Sequence, residues 1–497
     1  MMKILAFLMS VLTTPLLATD LPDSGSLSSS DASYDGNSLL LTGHVILDHG
    51  LGKMTAEEAS LQRQETGKDF PFSLIQLRHH VLLALKNSAE ISCGSADLDF
   101  TELKGILHPP ENGKVVYTDQ IKKKRGGGVS SLKLTGQIAE LRFLRQEQDG
   151  KKTEYEIENI LAKEDVVIDY AGDFQLYAHQ ALYRKELSSD DKTSKKEFQG
   201  IVTAYPKDEH SQCHLSHAGG DEIDADMVDL DLINSKISLL HPKGVLAASL
   251  LPQLQRGEIR FQADHLYWDQ IKNILTLKGR VVVDENSLGI LNAEDELQII
   301  QDTVKGKRLL KEIHAQGPST LLYKDPQHIS HRLISSGSID FDRNKLRATI
   351  DSLEKEGIVT QDKQLYYEEE EFAVYANHAS LEYCISNDSM ELSSLTLHGN
   401  VRLFSHDPQK PLRCGIADRL TYSLTTKTLI LSANPGKKVL FRDESQGMRL
   451  SGPEVHITYD SETKQQHVKG IGAVQLAFTP DEENKLQQLF PLLKKLP

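Results

Sequence analysis

Four cysteines, two acidic runs, one basic cluster and a histidine pair are the places where this 497-residue chain could do chemistry. Cys93, Cys213, Cys384 and Cys414 include no C-x-x-C pair, so a zinc site is not expected. In an oxidising compartment one bridge can form, and Cys384–Cys414 is the pairing to expect. The run Asp221 to Asp231 lacks the glycine and the twelfth-position glutamate of a calcium loop, and reads as acids on the solvent face of a strand. Glu368 to Glu371 reads as a solvated turn. Lys122 to Arg125, beside three glycines, could meet phosphates but reads as an exposed loop. His79-His80 and the other histidines lack ligand spacing. Asp and Glu are too plentiful for any pair to mark a glycosidase. No catalytic residue, metal or cofactor is expected, and the chain does not read as an enzyme.

A periodic pattern must position whatever function there is. Leu39, Leu41, Val45 and Leu47 alternate on one parity around Gly43, and Ala56 and Ala59 follow. A small residue with a partner three places on returns at Cys93/Ala96, Gly136/Ala139, Ala178/Ala181, Ala225/Val228 and Ala263/Leu266. It continues at Ala293/Glu296, Ser335/Ser338, Ala376/Ala379, Cys414/Ala417 and Ser451/Glu454, at intervals of 30 to 47 residues. Leu275, Leu277, Gly279, Val281 and Val283, and again Leu395, Leu397, Gly399, Val401 and Leu403, repeat the opening Leu-x-Leu-x-Gly-x-Val. The inner period is two, so the units are strands of a repeat protein. Glycine inside such a run marks a bulge or bend. Around Asp224 to Leu232 the apolar parity slips, as in a strand that bends while keeping one face inward. The polar stretches 122–128, 148–152, 188–196 and 407–411 read as turns.

The predicted order is a signal peptide over 1–18, a flexible leader over 19–33, repeats over 34–250 and 251–478, and a helix over 479–497. Lys3 before a nearly unbroken apolar stretch supports export, with an uncleaved N-terminal anchor as the alternative. Thr479 is placed to cap the helix, Pro480 opens it, and Asp481 to Glu483 suit its first turn. Leu486, Leu489, Phe490 and Leu493 form one apolar face, which would cover the open end of the array or dock a partner. A net charge of −15 argues against a nucleic-acid binder. Aromatic residues are only 6% of the chain, with one tryptophan, Trp268, which argues against a large aromatic cavity.

The Leu-x-Leu-x-Gly-x-Val run with its downstream Ala-x-x-Ala, preceded by Tyr34-Asp35-Gly36-Asn37, resembles the OstA-like family of lipopolysaccharide-transport proteins. That family includes periplasmic LptA and the N-terminal domain of LptD. The resemblance implies an all-β, elongated jellyroll folded like a taco, a β-solenoid of antiparallel strands with a short C-terminal helix. It implies a non-enzymatic periplasmic carrier that shields the acyl chains of lipopolysaccharide in an apolar groove on the way to the outer membrane. The groove residues would be Leu39, Leu41, Val45, Leu47, Leu275, Leu277, Val281, Val283, Leu395, Leu397, Val401 and Leu403. Gly43, Ala56, Ala59, Cys93, Ala96, Gly279, Gly399, Cys414 and Ala417 would be structural marks. Partners would be lipopolysaccharide itself, other transport proteins through sheet edges, and further copies head to tail. The first stretch, Leu39 to Leu61, would be the N-terminal edge. The readings that compete are a secreted or surface β-solenoid adhesin and a carbohydrate-active β-helix enzyme.

Overall fold

The structure is a computed structural model. It describes residues 26–63, 72–122, 128–146, 154–187, 198–248, 258–285, 288–304, 307–324, 328–355, 358–370, 372–386, 389–405, 412–459 and 466–490. The predicted signal peptide lies outside the described residues, as do the turns 148–152, 188–196 and 407–411, nearly all of the basic cluster, and Leu493.

The chain divides into two compact units, Met1–Ala218 with Asp226–Ser235, and Gly219–Ala225 with Lys236–Pro497. Both are built from strands, as the period of two requires, and the strands pair antiparallel. In the N-terminal unit a long strand is shared between two layers. The first half of Ser38–His49 pairs with the second half of Gly52–Gln62, and the second half with the first. The pairing breaks between Thr42 and Val45, where the chain turns from one layer to the other. Leu74–Leu85, Glu90–Asp99, Glu154–Tyr170 and Phe174–Leu187 break in the same way.

The C-terminal unit repeats the plan with shorter strands. One layer runs from Lys243–Leu246 through Ile259–Gln262, Val281–Glu285, Gly289–Ala293, Ser319–Lys324 and Ser330–Ser335 to Leu365–Glu368 and Phe372–Ala376. The other runs from His265–Asp269 through Ile274–Lys278, Glu296–Val304, Lys307–Gln316, Ser338–Asp342 and Arg347–Asp351 to His378–Ser386. Apolar side chains of both layers fill the space between them, and the alternate, polar positions face outward.

The corners explain the small-residue marks. At Gly43-His44, Gly279-Arg280 and Gly399-Asn400, two successive residues take positive φ, 73° and 50°, 69° and 45°, and 79° and 50°. His79-His80 and Glu164-Asp165 do the same without glycine. On the neighbouring strand a single residue takes the corner. Asp264 donates its N–H to the carbonyls of Lys278 and Gly279, and Asn377 donates to those of His398 and Gly399. A two-residue corner therefore nests against a one-residue corner. The approach is close: a Cβ on Gly279 would lie 2.5 Å from Asp264 Oδ2. Ala56 and Ala59, or Ala376 and Ala379, flank such a corner, and all four are buried. Inward positions therefore fall three apart across a bend instead of two. The predicted parity slip has this form: Ile223 and Ala225 are buried on one parity, Val228, Leu230 and Leu232 on the other. The two C-G-x-A-D copies are not equivalent. Gly94 makes a corner after Cys93, whereas Cys414 lies before one formed at Asp418, opposite Gly399-Asn400.

Two expectations about the termini need correction. The leader is not wholly flexible: Leu27–Ser28 pairs with Ile46 and Leu47, and Asp31–Tyr34 with Leu39 to Thr42. The edge strand is therefore this segment, not Ser38–His49. Its short length and its Ser and Asp residues suit an exposed edge. The helix forms at Pro480–Leu489 with the expected capping box between Thr479 and Glu482. Its apolar face does not plug the space between the layers at the open end. It lies on the outer face of the sheet, with Leu486 buried against Cys414, Ile416 and Leu440 and with Leu489 and Phe490 beside them.

Candidate functional site: the space between the layers

Eleven of the twelve expected groove residues are buried, and Leu39 is half-buried. They fall in two places. Leu39, Leu41, Val45 and Leu47 belong to the N-terminal unit. The other eight flank the corners Gly279-Arg280 and Gly399-Asn400 of the C-terminal unit, one pair on each layer at each corner. Six strand pairings separate Val281–Glu285 from the strand bearing Val401 and Leu403, a run of about 29 Å. These eight line the interior of the C-terminal unit and do not converge on one point.

The two interiors differ at the rim opposite the corners. In the N-terminal unit the rim is tied shut. His49 lies 4.2 Å from the Phe100 ring and 5.1 Å from Tyr155, which reach it from the other layer. Tyr155 N–H donates to the Gly50 carbonyl across the gap (3.2 Å), and Lys86 pairs with Glu154 at 3.0 Å. Burial, with the Lys86 charge beside it, lowers the His49 pKa to about 3, so the ring is neutral. Further along, Asp119 Oδ2 accepts hydrogen bonds from Tyr117 (2.6 Å) and Tyr183 (3.2 Å) and meets Lys185 Nζ at 2.9 Å. Burial drives both phenols upward in pKa. A cavity between the layers, among Ile91, Leu134, Leu141 and Ile160, measures only about 10 Å³.

In the C-terminal unit the rim is tied near Asp221 and Arg308 but parts near Phe372. A cavity of about 240 Å³ opens between Phe372, Leu403 and Arg413 on one layer and Tyr422, Leu429 and Ile457 on the other. The Phe372 and Tyr422 rings meet edge-on across it at 5.6 Å. Its floor is apolar and its rim is charged by Glu369, Glu370, Arg413 and Lys427. Arg413 is engaged by the buried Asp443 at 2.9 Å. Lys427 has no ion-pair partner among the described residues. A second space of about 700 Å³ lies beside it, against Glu285, Tyr323, His331 and Glu369.

The rim was not found from the sequence. Phe372, Tyr422, Leu429 and Ile457 lie in strands with no Gly-x-Val mark, and their only signal is alternation close to a turn. Glu368 to Glu371 is not the solvated turn expected. Glu369 is 8% exposed, its carboxylate 3.8 Å from the buried His331 ring, while Glu370 is exposed and Glu371 lies outside the described residues. Asp221 is not on a solvent face either. It is 1% exposed, held by both terminal nitrogens of Arg308 at 2.6 and 2.7 Å and by the Ala247 N–H. The remaining acids up to Asp231 are partly or fully exposed, and Asp229 accepts a hydrogen bond from the Thr203 hydroxyl at 2.6 Å. The expected Cys384–Cys414 bridge is absent. Cys384 points to solvent, and Cys414 is buried under the helix with Cys93 and Cys213 buried elsewhere. Among the described residues no cluster of His, Cys, Asp and Glu is arranged to hold a metal.

No family model and no curated protein matches the chain. Among solved structures, the chain is similar to LptH from Pseudomonas aeruginosa, the LptA-homologous periplasmic component of a lipopolysaccharide transport device. That match has 12% identity and a TM-score of 0.23, and spans 30% of this chain and 95% of LptH. Likeness at that level decides nothing about the role of this chain.

Proposed function

We propose that this protein is a non-enzymatic lipid carrier whose C-terminal unit takes acyl chains between its layers. The observation that carries this reading is the cavity at Phe372, Leu403, Tyr422 and Leu429, an apolar floor that continues into an aliphatic interior under a charged rim. Each methylene moved from water into such an interior gains about 0.8 kcal/mol. No reacting group is needed for that, only a long aliphatic trough and a rim to meet the headgroup. Lys427, without an ion-pair partner among the described residues, supplies a cation for an anionic headgroup. At about 240 Å³ the cavity is smaller than the roughly 300–1,000 Å³ of ordinary ligand sites. Loading this cavity therefore requires the two layers to part or the chain to extend into the neighbouring space of about 700 Å³.

Lipopolysaccharide is the lipid that best fits several acyl chains with an anionic head, and the periplasm is the compartment in which an exported chain would meet it. Partners in transport would add through sheet edges. Purified full-length protein should displace a fluorescent fatty acid from its own interior when lipopolysaccharide is added, saturably and with one midpoint. Val401→Glu should lose this while retaining the cooperative unfolding of the N-terminal unit. Unchanged lipid binding by a folded Val401→Glu protein would contradict the reading.

A further inference from the structure

The two layers of the C-terminal unit end at different edges. Gln466–Ile471 is the last strand of one layer and Met448–Gly452 of the other. Such edges expose N–H and C=O groups that template a further strand. After Ile471 the chain turns at Gly472 (φ +85°) and lays Gln475 along the second edge. Ser451 N–H donates to the Gln475 carbonyl at 2.9 Å and Gln475 N–H donates back at 2.8 Å. Val474 sits on the two glycines that flank the corner, so closely that a Cβ on Gly470 would lie 2.8 Å from it. The chain then folds back as the helix Pro480–Leu489. Glu482 accepts from the hydroxyl of the fully buried Ser451 (2.9 Å) and pairs with Lys438 (3.2 Å); Glu483 pairs with Arg442 (3.1 Å) and Arg449 (3.5 Å).

We propose that residues 472–489 are a cap, held in cis, that blocks strand addition at this edge, and that its release lets a second copy of the chain dock there. The occupant follows from the other end of the fold. Leu27–Ser28 and Asp31–Tyr34 are two edge segments on either side of one corner, and Asp31–Tyr34 is exposed at all four residues. They match in kind the edges on either side of Gly472. A copy that presents both segments needs both acceptor edges, and the cap removes one. Each contact is heterologous, so release gives head-to-tail chains or rings and not two-fold dimers with a self-complementary interface. Several of the latching groups are ionic and near the surface, so the cap is bound firmly enough to hold and weakly enough to be displaced. None of this depends on the interior carrying lipid.

Cys414 reports the state of the cap, because it is buried beneath Leu486. In full-length protein carrying Cys384→Ser, thiol labelling and mass by light scattering are followed over a range of concentration. The capped protein should stay monomeric with Cys414 unreactive. Leu486→Asp, and separately Glu482→Arg, which leaves the buried interface apolar, should raise Cys414 labelling by more than about tenfold, since labelling no longer waits for local opening. Both should form oligomers that grow with concentration, and Ala32→Pro in the same chain should abolish them. Labelling without oligomers, oligomers that survive Ala32→Pro, or a Cys414 that stays closed in both variants would overturn the proposal.

Discussion

The N-terminal and C-terminal units share one plan, two antiparallel layers bent at nested corners, and differ at the rim. The first closes its rim with His49, Phe100 and Tyr155 and with a carboxylate that serves two phenols and a lysine. The second is tied by the buried Asp221–Arg308 pair at one end, but at the Phe372 end the rim holds the edge-on meeting of Phe372 and Tyr422 with a cavity beneath. The repeat therefore sets the architecture, while the few residues at the rim set whether the interior is a core or a receptacle. A packed interior gains its stability from contact between the layers. A receptacle must give up part of that contact so that a ligand can replace it.

Several substitutions sharpen or break this contrast. The largest effect should come from Asp119→Ala, which leaves Lys185 and two phenols without their shared acceptor. It should cost the N-terminal unit about 3–5 kcal/mol in urea unfolding. Asp119→Leu with Lys185→Met should recover most of it, and a double variant no better than Asp119→Ala would show that the cluster is not a rim tie. His49 comes next. Its pKa is about 3 in the folded unit and 6.5 in the reference state. The unfolded chain therefore takes up the proton first, and stability present above pH 6.5 is lost as pH falls toward 3. The slope should be up to about 1.4 kcal/mol per pH unit in that window. His49→Phe should flatten the slope for the N-terminal unit and leave the C-terminal unit unchanged.

Gly279→Ala tests the corner common to both units. A methyl group at φ +69° and 2.5 Å from Asp264 should cost about 1–3 kcal/mol, seen as a lower urea midpoint. Asn400→Gly, which relieves a non-glycine residue at φ +50°, should raise it slightly. The smallest effect on stability, within about 0.5 kcal/mol, should be that of Lys427→Glu. The same change should weaken binding of anionic lipid and spare a neutral acyl probe. Equal loss for both would remove the headgroup role of Lys427.

Alternation and the Gly-x-Val mark made the strands, the bends and most of the buried face legible in the sequence, because both follow from local backbone geometry. Leu277, Val281, Leu397 and Val401 are inward for that reason. The helix was legible from Thr479, Pro480 and Glu482, whose capping is also local. The face it covers was not, since Cys414, Ile416 and Leu440 come together only through strand pairing. The rim was hidden for a like reason. Asp119 and Lys185, or Asp221 and Arg308, are 66 and 87 residues apart in the chain and meet only across layers. Sequence spacing carries no trace of such pairs, so Asp221 looked like one more solvated acid. The leader misled because its Ser and Asp residues suit a flexible segment and an exposed edge strand equally well.

The central claim is that lipid enters the C-terminal interior and is excluded from the N-terminal one. A photoreactive phenylalanine placed at Leu429, on the cavity, and in a second protein at Leu134, beside the near-filled N-terminal cavity, tests it directly. With lipopolysaccharide present, irradiation should give a lipid adduct from position 429 and none from position 134. Adducts of equal yield from both positions, or from 134 alone in folded protein, would contradict it.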